Sequence, residues 1–201
     1  DASLWAAPFD VERLSITGEP VPLLEGINMR GGGNSDFAVA ANGTVAYLPG
    51  GSVLATRTLA WVDREGREEP LPAPRRAYVY PRISPDGSML ALQVSDQEND
   101  IWIWDFARAK LERLTFDPGA DQFPVWTPDG RRIIYSSQRG GLIPDIYWQT
   151  PDGSGGVERL TQTAPGAYGR YPHSIAPDGN QLVFREGGDL FVLTLGGERL
   201  I

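Results

Sequence analysis

The sequence predicts an all-β fold: a β-propeller of four-stranded antiparallel blades, with about four and a half blades present. Three observations predict it. A Pro-Asp-Gly turn recurs at Pro85–Gly87, Pro128–Gly130 and Pro177–Gly179, with a weaker copy at Ala41–Gly43. The second residues of these turns, Asn42, Asp86, Asp129 and Asp178, are spaced by 44, 43 and 49 positions, a period that suits one blade per repeat. The stretches between turns alternate apolar and polar residues with the period of a strand, two, and not that of a helix. Finally, 24 Gly and 17 Pro among 201 residues punctuate the chain too often for long helices, while 6 Trp, 7 Tyr and 7 Phe supply bulk for short strands.

Each element follows from that frame. Residues 1–24 read as half a blade, with Leu4–Ala6 and Glu19–Leu23 as its third and fourth strands. The blade over 36–71 places strands at Phe37–Ala40, Val45–Leu48, Leu59–Val62 and Glu68–Leu71. That over 80–115 places them at Tyr80–Ser84, Met89–Val94, Asp100–Asp105 and Leu111–Thr115. The unit over 123–161 uses Phe123–Thr127, Arg132–Ser136, Asp145–Trp148 and Val157–Thr161. The last, over 171–201, uses Tyr171–Ala176, Gln181–Phe184, Asp189–Leu193 and Glu198–Ile201. Both ends fall inside a ring, so the chain reads as a piece of a longer propeller. Otherwise the gap closes irregularly, or open blade edges drive self-association.

The recurrent turns have a structural cause. Proline pre-sets φ, Asp or Asn bonds nearby amides, and Gly takes the positive φ that ends a tight hairpin. Asn42, Asp86, Asp129 and Asp178 are therefore structural. A second recurrent aspartate, Asp100, Asp145 and Asp189, opens each third strand and predicts a structural bond to a neighbouring blade's backbone.

Composition narrows the function. With 26 acidic against 18 basic side chains the net charge is −8, which disfavours nucleic acid. With no cysteine, disulfides, thiolate metal sites and cysteine nucleophiles are excluded. No apolar run reaches the roughly 18 residues that cross a bilayer, so direct membrane insertion is not expected.

Ile83-Ser84-Pro85-Asp86-Gly87 with Asp100-Ile101-Trp102, and Trp126-Thr127-Pro128-Asp129-Gly130 with Asp145-Ile146-Tyr147, resemble the TolB-like propeller family, as does the weaker Ile175–Gly179 with Asp189-Leu190-Phe191. Leu4–Asp10, Gly18–Pro22 and Trp61–Gly66 further resemble propellers that follow bacterial serine/threonine kinase domains. That resemblance implies a non-catalytic sensor or scaffold on the extracytoplasmic side. No kinase motif is present in the sequence.

In a propeller the first strand of each unit lines the channel, and two sets of loops share one face, where ligands and partners bind. The candidate residues are Arg30, Arg76, Tyr80, Arg82, Gln122, Phe123, Arg170, Tyr171 and His173, joined on the loops by Arg75, Tyr78, Asp121 and Tyr168. Arginine among aromatics suits a protein partner or small ligand. Tyr80, Phe123 and Tyr171, each before a proline, serve equally well as blade-to-blade packing. One extra residue before Pro177 predicts a bulge at His173, the single histidine. The acidic loop Asp96–Asp100 lacks the glycine and terminal glutamate of a calcium loop. Arg30–Ser35 lacks the Lys-Ser/Thr of a phosphate loop, Asn42-Gly43-Thr44 is a sequon held in a tight turn, and no Gly-x-Ser-x-Gly occurs. The expectation is a binding or sensor module with no catalytic residue, cofactor or metal. The alternatives are a TolB-like periplasmic adaptor and the propeller portion of a prolyl-oligopeptidase-like or lactonase-like hydrolase.

Overall fold

A computed structural model describes residues 2–27, 37–40, 43–47, 56–96, 99–164 and 166–195, and every regular element among them is a β-strand. β1 (Ala2–Ala6) pairs antiparallel with β4 (Val21–Ile27). Their connection holds a hairpin, β2 (Phe9–Asp10) with β3 (Ser15–Ile16), in addition to the two strands read from the sequence. The Asp10 carboxylate closes it by accepting the amides of Glu12 and Arg13, each at 2.9 Å.

Three four-stranded sheets follow, each a simple antiparallel meander: β5 (Phe37–Val39) to β8 (Glu68–Pro70) through β6 (Val45–Tyr47) and β7 (Ala60–Val62); β9 (Tyr78–Ile83) to β12 (Lys110–Arg113) through β10 (Met89–Ser95) and β11 (Asn99–Asp105); and β13 (Asp121–Trp126) to β16 (Glu158–Arg159) through β14 (Ile133–Ser137) and β15 (Asp145–Gln149). A three-stranded sheet of β17 (Arg170–Ile175), β18 (Gln181–Glu186) and β19 (Asp189–Thr194) ends the described chain. The architecture is a partial propeller of antiparallel blades. The strand expected at Glu198–Ile201, the turn residue Asn42 and the candidate Arg30 lie outside the described residues.

The turns form as their chemistry requires. Gly87, Gly130 and Gly179 take φ of +74°, +67° and +75°. Asp86, Asp129 and Asp178 each accept the amide two residues on, at 3.0 Å. A further Pro-Asp-Gly, Pro151–Gly153, makes the same turn between β15 and β16, out of step with the blade period: Ser154 donates its amide to Asp152 at 3.0 Å and Gly153 has φ +69°. The tripeptide thus marks a turn type, and only its spacing marks a blade.

The core lies between blades. Leu90, Leu92 and Val94 of β10 pack with Leu59, Tyr78 and Tyr80. Ala91, between them on the opposite face, packs with Ile101, Trp126, Ile133 and Tyr135. Val125, Ile134 and Ile146 meet Leu182 and Phe184 of the last sheet. A strand in the middle of the stack therefore buries both faces.

Asp100 and Asp145 are structural, but their partners differ from the expected neighbouring backbone. Each binds an arginine of its own fourth strand and the threonine two residues beyond it: Asp100 pairs with Arg113 at 2.8 Å and with Thr115, and Asp145 with Arg159 and, at 2.9 Å, Thr161. Thr115 and Thr161 in turn accept the amides of Ile101 and Ile146, both at 3.0 Å. The side chains are close enough to do this because the fourth strand runs back antiparallel beside the third.

Candidate functional site

The inner strands are bulged. Pairing of β9 with β10 steps from Arg82↔Ala91 to Val79↔Gln93, so Tyr80 and Pro81 together face Leu92. In β13, Phe123 and Pro124 face Tyr135 in the same way. Proline suits a bulge because it has no amide hydrogen to leave unpaired. The preceding residue adopts a left-handed backbone, φ +51° at Tyr80 and +59° at Phe123. Such strain costs about 1–3 kcal/mol and persists only where packing holds it. Aromatic contacts hold it here: Tyr80 lies 4.4 Å from Phe123, ring centre to ring centre, and Phe123 meets Tyr171 edge-on at 5.2 Å. One string of rings joins three successive sheets.

The bulge in β17 falls one position later, between Pro172 and Ser174, which makes His173 the inserted residue. The sequence pointed to a bulge in this strand alone, whereas all three inner strands carry one. The imidazole is depressed below its usual pKa, first by burial and then by the positive charges of Arg185 and Arg82. Arg185 is the antiparallel Cα partner of Tyr171 and sets its guanidinium 5.0 Å from the centre of that ring. Arg82 donates to the Pro81 carbonyl at 2.9 Å, and its own carbonyl accepts the Trp126 indole N–H at 2.8 Å.

The loop face is stapled by ion pairs between the start of each first strand, or the segment entering it, and the end of its second strand or the turn after it. Arg76 grips Asp96 through two contacts, 2.7 and 3.1 Å, and lies over the Trp102 ring at 4.1 Å. Arg139 meets Asp117 at 2.6 Å, and Arg170 meets Glu186 at 2.8 Å. Two of the arginines picked out from the sequence, Arg76 and Arg170, thus already hold carboxylates. Arg75 reaches the Thr56 carbonyl, at 3.5 Å. Tyr78 is fully buried and its phenol is pushed up to about 12 by burial. Gln122 is half-buried opposite Ser136, and Tyr168 is exposed beside Gly187.

Asp121 is buried at the seam between the second and third blades. Burial raises its carboxyl above the usual range, against the partial help of Ser137, Thr115 and Arg139. A separate cleft of about 870 Å³ opens between the outer strands of these two blades, lined by Ile103, Leu114, Phe116, Arg131 and Asp152 among others. Among the described residues no cluster of three or more His, Cys, Asp or Glu side chains is placed to hold a metal ion. Arg185 was missed in the sequence because nothing local marks it: only the register of β17 on β18 brings it to Tyr171 and His173.

Residues 43–194 match the TolB beta propeller domain family, PD40. The chain belongs to that family. This TolB-family propeller is 29% identical over 173 residues to an uncharacterised protein of Agrobacterium fabrum, an alignment covering 86% of this chain and 57% of the relative. It is 32% identical over 95 residues to the Tol-Pal system protein TolB of Wolinella succinogenes, covering 44% of this chain and 22% of that protein. The solved structure of an Agrobacterium tumefaciens protein assigned as TolB superposes with a TM-score of 0.67 at 24% identity, over 89% of this chain and 66% of the other, a likeness of fold. The TolB-family propeller thus spans little more than half the length of the first of these relatives.

Proposed function

We propose that this TolB-family propeller is a non-catalytic binding module that receives a protein partner or small ligand on its loop face and channel mouth. The observation that carries this reading is the string Tyr80–Phe123–Tyr171 on the inner strands, with Tyr80 and Phe123 strained into place, beneath loops that ion pairs hold still. The half-buried rings of Phe123 and Tyr171, braced by the buried Tyr80, lose little entropy when they receive a partner, which suits a recognition surface. The fold itself does not decide between binding and chemistry, since propellers host both. Purified protein is expected to leave ester, lactone and peptide substrates unconverted. Turnover that disappears on changing Tyr171 or His173 would overturn the reading.

A TolB-like periplasmic adaptor is the finer form supported by the similarity to the Tol-Pal protein. A kinase-linked receptor rests only on Leu4–Asp10, Gly18–Pro22 and Trp61–Gly66. The full reading frame separates them: a secretory leader supports the first, and a kinase domain followed by a membrane helix supports the second. Self-association through open sheet edges is tested by sedimentation across a dilution series.

A further inference from the structure

We propose that Arg185 and His173, beside the Tyr171 ring at the channel mouth, form a seat for a carboxylate. The proposal rests on the binding-module reading and names the chemistry of what the module receives.

The charge distribution points there. The chain carries a net charge of −8, and the loop-face arginines Arg76, Arg139 and Arg170 each hold an acidic partner. Arg185 has no ion pair among the described residues, and its Nε is shielded from solvent without a hydrogen-bond acceptor. A buried N–H left unpaired costs about 1–3 kcal/mol, more on a charged group, and an incoming oxyanion would recover it. Phe184 and Leu182 alternate with Arg185 along β18 into the cluster shared with the third blade. Arg185 therefore stands on the opposite face, with Tyr171.

The bulge inserts an exposed His173 two residues from Tyr171, the cross-strand partner of Arg185, near enough for the guanidinium charge to act on the imidazole. Both charges that act on His173, Arg185 from β18 and Arg82 from β9, are positive. The apolar face of Tyr171 completes the seat, since the guanidinium stacked on it keeps its in-plane N–H groups free to fork onto a carboxylate. An anion held there would reverse the local field and favour the imidazolium.

The test uses the fact that His173 is the only histidine, so its ring resonances in an NMR titration report on this site alone. Succinate and a hexaglutamate peptide are the probes, each against sodium chloride of equal ionic strength. Both are expected to raise the His173 midpoint by about half a pH unit or more beyond the salt control. Arg185→Gln is expected to weaken probe binding about tenfold, while Arg185→Lys, which keeps charge and stem, retains part of it. Response to hexaglutamate alone assigns the seat to an acidic protein segment. Response to both assigns it to carboxylates generally. An equal midpoint rise in sodium chloride, or unchanged probe affinity in folded Arg185→Gln protein, would overturn the proposal. Catalytic turnover alongside an intact His173 response would instead remove the binding-module reading and leave the seat standing.

Discussion

Strands β10 and β19 are written in nearly the same apolar alphabet, Met-Leu-Ala-Leu-Gln-Val-Ser and Asp-Leu-Phe-Val-Leu-Thr, yet their fates differ. Leu92 of β10 is fully buried, whereas Leu190 and Val192 of β19 are 68% and 60% exposed. The N-terminal sheet resembles β19, with Trp5, Phe9, Leu14, Ile16, Val21 and Leu23 all exposed. The middle blades have a neighbouring sheet on each face. An apolar pattern states that a face needs cover, and only the adjacent sheet supplies it.

The largest expected effect tests that contrast directly. Leu92→Ala should cost about 2–5 kcal/mol in urea unfolding at an unchanged slope, because a cavity opens between two packed sheets. Leu190→Ala should stay within about 0.5 kcal/mol. Equal losses would break the comparison.

The aspartate that opens each third strand gives the next contrast. Asp145→Ala should cost about 2–3 kcal/mol by leaving Arg159, Thr161 and Thr163 without their acceptor, while the exposed Asp189→Ala changes little. Burial raises the Asp145 pKa, but hydrogen bonds from Thr163, Arg159 and Thr161 outweigh it and hold the group below its usual range. Its stabilisation is therefore present above the unfolded value near 4 and lost as pH falls through the folded value. Asp145→Asn should flatten the acid limb of a stability–pH curve.

Smaller effects sharpen the picture at single positions. Gly87→Ala should cost about 1 kcal/mol from its φ of +74° alone, since nothing lies within 4 Å of an added Cβ. Gly188→Ala, also in open space and without a positive φ, should be neutral in the same unfolding assay. Asp121→Asn is expected to stabilise the protein by less than about 1 kcal/mol at neutral pH. The folded carboxyl binds its proton more tightly than the unfolded one, so the wild type loses stability as pH rises from the unfolded value through the folded one. The advantage of Asn should fade below about pH 4. A gain that persists unchanged at low pH would place the burial penalty elsewhere.

Much of the fold was legible because its signals are local. Strand alternation and turn chemistry involve neighbours in sequence, and Pro-Asp-Gly at 85–87, 128–130 and 177–179 reports both. The same tripeptide at Pro151–Gly153 shows the limit of that reading: chemistry names the turn, but not which hairpin of a blade it closes. The candidate site was legible in part. Tyr80, Phe123 and Tyr171 could be picked out by their place before proline, while the left-handed backbones of Tyr80 and Phe123 and the mutual contacts of all three could not. The loop arginines could be picked out too, but not their carboxylates, since Arg76 and Asp96 are 20 residues apart and meet only through the sheet.

What the sequence alone determined is therefore the kind of element and its repeat: strands from period-two alternation, corners from Pro, Asp and Gly, blades from spacing. The tertiary structure decided which apolar faces are covered, which arginines are neutralised, and that Arg185 and His173 share one corner beside Tyr171. Those outcomes depend on strand register and on the stacking of sheets, and both bring together residues whose separation along the chain carries no signal of their contact.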